Sequence, residues 1–305
     1  MTMSLAKNTD RNTVTEHIAA DVLHIGYPRA ASTFVARFLE SHPEVSFDEH
    51  RLGELLFPYS GRPVVVGKPS PDKTHVSRDE NVAESVCWVK SRENWQRYLY
   101  VPGAWDRVKD DIVADPAETA LRLHKVHPRA KVLLVIREQA DWLQSVYKYA
   151  ISQLPWNQRS FADYATTPSG IVMLQAGHFD QTIQAYLDVF GSQRVCVLRF
   201  EDIVTAPKRF AGELCAFVGI SDRPIPQRRV NDTNVQLARI QRFFPLVEQL
   251  PRNVKDALKL HAARFLPGAR GQILSSREIR LLHSMYAVSN LRTEKLLSQL
   301  PKIVR

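Results

Sequence analysis

The residues most able to do chemistry early in the chain are Gly26-Tyr27-Pro28-Arg29-Ala30-Ala31-Ser32-Thr33-Phe34. They stand between a short apolar run, Ala20–Ile25, and a stretch in which Phe34, Val35, Phe38 and Leu39 recur at helical spacing. A helix N-terminus offers unpaired backbone N–H groups and a partial positive charge, and Arg29, Ser32 and Thr33 add side-chain donors beside them. The chemistry this suits is the holding of a phosphate or another compact anion. The same residues also fit an ordinary strand-to-helix turn with a Ser/Thr cap. They do not make the nucleoside-triphosphate loop G-x-x-x-x-G-K-[ST], because the second Gly and the Lys are absent.

A loop of this kind works only at the carboxyl end of a sheet strand, so the surrounding elements must supply one. Ala20–Ile25 reads as a buried strand, and the helix after the loop closes at Ser41-His42-Pro43. Val64-Val65-Val66 reads as a second strand ending at Gly67-Lys68-Pro69, followed by loop over 70–81. Helices are expected around Trp88–Tyr100 and Pro116–His124. Lys131–Ile136 is the most strand-like run and leads into a helix over about 140–152, which repeats the opening unit. Phe179–Phe190 is an amphipathic helix, Arg194–Phe200 another strand, and Lys208–Val218 helical. From Asn231 onward the chain looks mostly helical, ending in Ser276–Leu297. Strands alternating with helices predict an α/β fold, a single domain with a central parallel sheet flanked by helices. Residues 1–17 are expected to be a loose, flexible arm and 18–305 the domain.

Residues 26–34 resemble the 5′-phosphosulfate loop of the sulfotransferases that use 3′-phosphoadenosine 5′-phosphosulfate (PAPS), approximately [TG]-[YF]-P-[KR]-[ST]-G-[ST]-[ST]-[WFL], and His42-Pro43-Glu44-Val45 also resembles that family. The resemblance implies a P-loop-kinase-like sulfotransferase fold. It places Arg29 beside the transferring sulfuryl group, with Ala30, Ala31, Ser32, Thr33 and Phe34 in the loop and the two hydroxyls on the 5′-phosphate. Ala31 stands where the family has Gly, which predicts an ordinary backbone conformation there, and Arg29 replaces the commoner Lys.

A second signature resembles the family's 3′-phosphate site: Arg137 ends the strand Val132–Ile136, and Ser145 follows eight residues on in the next helix. Here Arg137-Glu138-Gln139 lacks the proline of R-[DE]-P. Gly191–Asp202 and Phe217-Val218-Gly219-Ile220 resemble scaffold segments of the family, and Glu201-Asp202 reads as a cap or ion pair. Lys68, in Gly67-Lys68-Pro69-Ser70-Pro71, resembles the E-K-S-P-x-Y segment of heparan-type members, whose Lys lies near the reacting sulfate. For the general base the resemblance offers Glu54 in Gly53-Glu54-Leu55-Leu56-Phe57 and His75 in Asp72-Lys73-Thr74-His75, and the acidic cluster Asp48-Glu49-His50 offers Glu49. Arg270-Gly271 is placed near the adenosine end. The implied function is transfer of a sulfuryl group from PAPS to a hydroxyl or amine of a carbohydrate or glycolipid, with a small phenol or alcohol as the alternative acceptor and no metal required.

Composition narrows the other classes. The 305 residues carry 41 Lys+Arg against 32 Asp+Glu, a net charge of +9, with 44% hydrophobic residues, which excludes a disordered chain. Residues 206–305 alone hold 18 Lys+Arg and 7 Asp+Glu, or +11, which suggests an anionic partner. No nucleic-acid motif or interleaved aromatic pattern accompanies it, so nucleic acid is not the expected partner. An ATP-dependent kinase should show G-K-[ST] and a metal-holding Asp after a later strand, and neither is evident. Cys87, Cys196 and Cys215 form no CxxC pair and no zinc spacing. The polar N-terminus and the absence of an apolar stretch of ~18–20 residues predict a cytoplasmic protein without a transmembrane segment.

Overall fold

The computed structural model describes residues 15–48, 64–67, 71–79, 96–111, 115–154, 159–225 and 273–301. Its centre is a parallel sheet of five strands, β2 (Val22–His24), β3 (Val45–Asp48), β5 (Thr74–Arg78), β6 (Lys131–Ile136) and β7 (Val195–Arg199), in the order β3-β5-β2-β6-β7. The strand before the loop 26–34 is therefore central, with β5 on one side (Val22 opposite Val76) and β6 on the other (Leu23 opposite Val132). A separate two-stranded parallel sheet pairs β1 (Thr15–Ile18) with β4 (Val64–Gly67). Thr15–Ile18 thus begins inside the stretch expected to be an arm, and the Val64 strand pairs away from the central sheet.

Alternation along β6 shows how the sheet is buried on both sides. Val132, Leu134 and Ile136 join one apolar cluster, while Leu133 and Val135 join the other. The first is covered by α2 (Pro116–Val126), α3 (Gln139–Ala150), α6 (Phe179–Phe190) and α9 (Ser276–Gln299). The second is covered by α1 (Ser32–Glu40) and α8 (Pro207–Val218). Between them lie the short helices α4 (Phe161–Ala165), α5 (Pro168–Ala176) and α7 (Asp202–Thr205). Cys196 and Cys215 are both buried in the second cluster.

Helix starts follow local chemistry. Asp115 caps α2 by accepting from the N–H groups of Ala117 and Glu118, with a proline in the first turn, and Glu138 caps α3 through Ala140 and Asp141. Ser275 and Glu278 form a capping box at the start of α9.

One expected loop holds a strand, and a further strand lies where none was expected. Val45–Asp48 is β3 and Thr74–Arg78, inside the stretch 70–81, is β5. The sequence Thr-His-Val-Ser-Arg has a single strongly apolar residue, so it lacks the hydrophobic signature of a strand, yet its residues from His75 to Arg78 are buried. Tertiary partners make that burial possible: the His75 N–H donates to Asp21 Oδ2 at 2.8 Å, and the Asp79 N–H to the His24 carbonyl at 3.2 Å. The helix expected over 88–100 lies mostly outside the described residues, as do 226–272, which hold most of the expected helical region before α9.

Candidate active site

The chain leaves β2 at His24, passes through the buried Ile25, Gly26 and Tyr27, turns over 28–31 and enters α1 at Ser32. Tyr27 packs edge-on against Trp142 and beside Phe179, with ring centroids 5.4 and 4.8 Å apart, which anchors the loop's entry in the core. Trp142 Nε1 donates to the Pro28 carbonyl at 2.7 Å. A Cβ on Gly26 would lie 2.9 Å from His24 Cε1, so a larger residue there would have to displace the His24 ring. The His24 ring in turn contacts the Ser32 carbonyl through Nε2 at 3.3 Å.

Arg29 and Ala31 both have left-handed backbones, at φ 65° and 67°. This corrects the expectation of an ordinary conformation at Ala31. The N–H groups of Phe34 and Val35 close onto the Ala31 carbonyl at 2.9 and 3.0 Å, so the left-handed residue is the one that starts the helix. Alternation of right- and left-handed residues turns successive N–H groups into one concavity suited to an anion. The cost of holding Ala there is ~1–2 kcal/mol, which the surrounding contacts offset.

Three guanidinium groups surround this loop. Arg29 belongs to it and is half-buried. Arg137, at the exit of β6, donates from Nη1 to the Arg29 carbonyl at 3.4 Å and lies 4.4 Å over the Phe200 ring. Burial is the largest influence on Arg137 and pushes its pKa down; Asp141, Glu201 and Glu138 oppose that, and the charge of Arg29 adds to it. A partly buried guanidinium that also feels a second positive charge favours an anion next to it. Arg78, at the exit of β5 and buried, donates from Nη2 to Thr33 Oγ1 at 3.4 Å. Sequence reasoning missed Arg78, because its strand was not legible; the signal available was a charged residue just before Asp79 and Glu80 in a polar stretch expected to be loop.

The sequence candidates divide accordingly. Arg29 through Phe34 and Arg137 come together at the exit end of the sheet. Ser145 is half-buried in α3, one turn beyond Trp142 on the helix side that reaches the loop, about 10 Å along the axis from Glu138. His75 is not brought to the loop: it pairs with Ser46 at the entry end of β5, about 10 Å of strand before Arg78. Glu49, Glu54, Lys68, Arg270 and Gly271 lie outside the described residues. Glu201 is structural, accepting from the Glu138 N–H at 2.9 Å, and Asp202 pairs with Arg209. Gln139, where the resemblance has proline, is buried and donates to the Gly177 carbonyl at 3.5 Å and to Asn290 Oδ1, tying α9 to the Arg137 corner. No cluster of His, Cys, Asp and Glu suited to a metal occurs among the described residues.

A model of the family described as the sulfotransferase family matches residues 21–224, which contain the loop, Arg78, Arg137 and Ser145. The chain belongs to the sulfotransferase family. The central parallel sheet with helices on both faces is thus a sulfotransferase fold, and the enzyme is a sulfotransferase. No curated protein matches this sulfotransferase. Among solved structures it is similar to a sulfotransferase from Alicyclobacillus acidocaldarius, at 16% identity and a TM-score of 0.45 over 82% of this chain and 97% of that one. The sulfotransferase domain from the curacin biosynthetic pathway matches at 12% identity and a TM-score of 0.45, over 89% and 98%. A mouse sulfotransferase, SULT7A1, solved in complex with PAP, matches at 10% identity and a TM-score of 0.40, over 93% and 91%.

Proposed function

We propose that this sulfotransferase takes its sulfuryl group from PAPS and delivers it to a hydroxyl or amine of a carbohydrate or glycolipid. The observation that carries the donor assignment is the convergence of Arg29, Arg78 and Arg137 on a left-handed loop at a helix N-terminus. A donor with phosphates at both the 5′ and 3′ positions matches two separated cationic points; Arg137 with Ser145 takes the 3′-phosphate, and the loop with Thr33 takes the 5′-phosphate. Arg270-Gly271 is assigned to the adenosine end.

In the reaction the acceptor oxygen or nitrogen attacks sulfur, the bond from sulfur to the bridging oxygen breaks, and adenosine 3′,5′-bisphosphate departs with the electron pair. Arg29 and Lys68 stabilise the charge that develops on the bridging oxygen. Glu54 or Glu49 takes the acceptor proton, His75 being at the far end of its strand. Positioning supplies much of the rate, because in-line transfer needs the acceptor held close to sulfur. A cytoplasmic location belongs to the same reading.

Thermal stabilisation by adenosine 3′,5′-bisphosphate, compared with ATP and a short oligonucleotide, tests the donor. The bisphosphate is expected to raise the melting temperature most. Stabilisation by the oligonucleotide alone overturns the reading. Arg137→Ala should weaken the bisphosphate by about 10- to 100-fold in calorimetry, the worth of hydrogen bonds to a charged group; unchanged affinity removes the 3′-phosphate assignment. Transfer of labelled sulfate to a panel of glycans, glycolipids and phenols tests the acceptor.

A further inference from the structure

The last helix, α9, buries Leu282, Tyr286, Ser289 and Thr293 against the domain. Its other side carries Leu281, Met285, Val288 and Leu291, exposed to 65, 40, 60 and 73%. Their spacing of four, three and three residues puts them on one stripe about 15 Å long. Single exposed apolar residues are ordinary, but four in register on one helix face are a surface that water solvates poorly.

The charges around the stripe indicate what it meets. Arg277, Arg280 and Lys295 are exposed and have no acidic partner among the described residues. The acids of the same helix are engaged: Glu278 accepts from the Ser275 N–H at 2.5 Å, and Glu294 is paired with Arg199 at 2.5 Å. What remains is an apolar stripe flanked by unpaired cations, in the part of the chain that carries +11. A second copy would bring the same cations near one another with its acids already committed. A surface that is apolar within and negative outside complements the stripe and its flanks together.

We propose that the exposed face of α9 docks on an anionic lipid surface. The stripe lies on the opposite side of α9 from Asn290, which bonds Gln139 two residues after Arg137, so docking sets the Gln139 corner about one helix diameter, ~10 Å, from the bilayer. A peripheral mode is consistent with the helices, none of which among the described residues is long and apolar enough to cross a membrane. The inference does not depend on the donor or acceptor assigned above.

The test is cosedimentation of the full chain with vesicles of phosphatidylcholine alone and of phosphatidylcholine with phosphatidylglycerol. The protein should bind the anionic vesicles, ignore the neutral ones, and be released when salt is raised to about 0.5 M. Leu281→Glu with Val288→Glu, and separately Arg277→Glu with Arg280→Glu, should each lower binding at least about tenfold with the melting temperature unchanged, since they alter solvent-facing positions only. Failure of the wild type to bind anionic vesicles overturns the proposal, as does equal binding by both double variants. It is also overturned if light scattering shows a dimer that Val288→Glu splits.

Discussion

Ala31 shows how one residue can carry the cost of a site. Its left-handed backbone aims the loop, and glycine would hold that conformation without the steric penalty. Ala31→Gly is therefore expected to stabilise the protein by ~0.5–1 kcal/mol, the strain relieved less the entropy a glycine adds to the unfolded chain. A denaturant midpoint that falls would show that the loop does not store this strain. Arg78 matters for a different reason: it is buried and reaches Thr33 from the strand next to β2. Arg78→Ala should weaken adenosine 3′,5′-bisphosphate about tenfold, and Arg78→Lys should recover part of the loss, because charge returns without the second hydrogen-bonding arm. Equal affinities in calorimetry would leave Arg78 as a packing residue. The loop was legible because its residue types act within nine positions of one another. The conformation of Ala31 was not, because a non-glycine residue ordinarily avoids positive φ, while contacts from Arg137, Trp142 and His24 hold the loop from outside.

Elements differ in how plainly they announce themselves. Lys131–Ile136 and Phe179–Phe190 stand where the apolar pattern places them, since burial on both sheet faces and on one helix face each leaves a period in the sequence. β5 leaves none; four of its five residues are polar or charged, and its backbone pairs with β2 and β3. The site suffered most from this, as Arg78 and the position of His75 both depend on where β5 runs. α9 is joined to the rest at close quarters: the Tyr286 hydroxyl donates to the Leu174 carbonyl at 2.8 Å, and its ring lies where a Cβ on Gly177 would come within 2.6 Å. Gly177→Ala should cost ~1–3 kcal/mol in thermal or chemical unfolding, because the buried ring has to shift or the helix to separate. A loss no larger than that of a surface substitution would mean that α9 contributes little to the domain.

For the whole molecule, ties between distant parts of the chain hold the sheet's covering helices in place. Glu44, before β3, accepts from the side chain and the N–H of Ser221, which follows α8. The side-chain bond is the larger cause, and the backbone bond the next, of a Glu44 carboxyl pKa below the ordinary value. A folded-state pKa below the unfolded one means that this contribution is present above the unfolded pKa and lost as pH falls through the folded one. Melting temperature should therefore decline on the acid side, and Glu44→Gln should flatten that decline slightly; identical profiles would remove the tie. By itself the sequence determined the alternation of strands and helices, the strand-loop-helix unit around residues 26–34 and the place of Arg137 at a strand's end, because periodicity, caps and spacing are local properties. Only the tertiary structure decided that Arg78 and not His75 stands beside the loop, that Ala31 is left-handed, and that α9 keeps an apolar face uncovered. Each of these depends on which strand lies next to which, in what register and under what cover, and those choices are made by contacts between residues far apart in the chain.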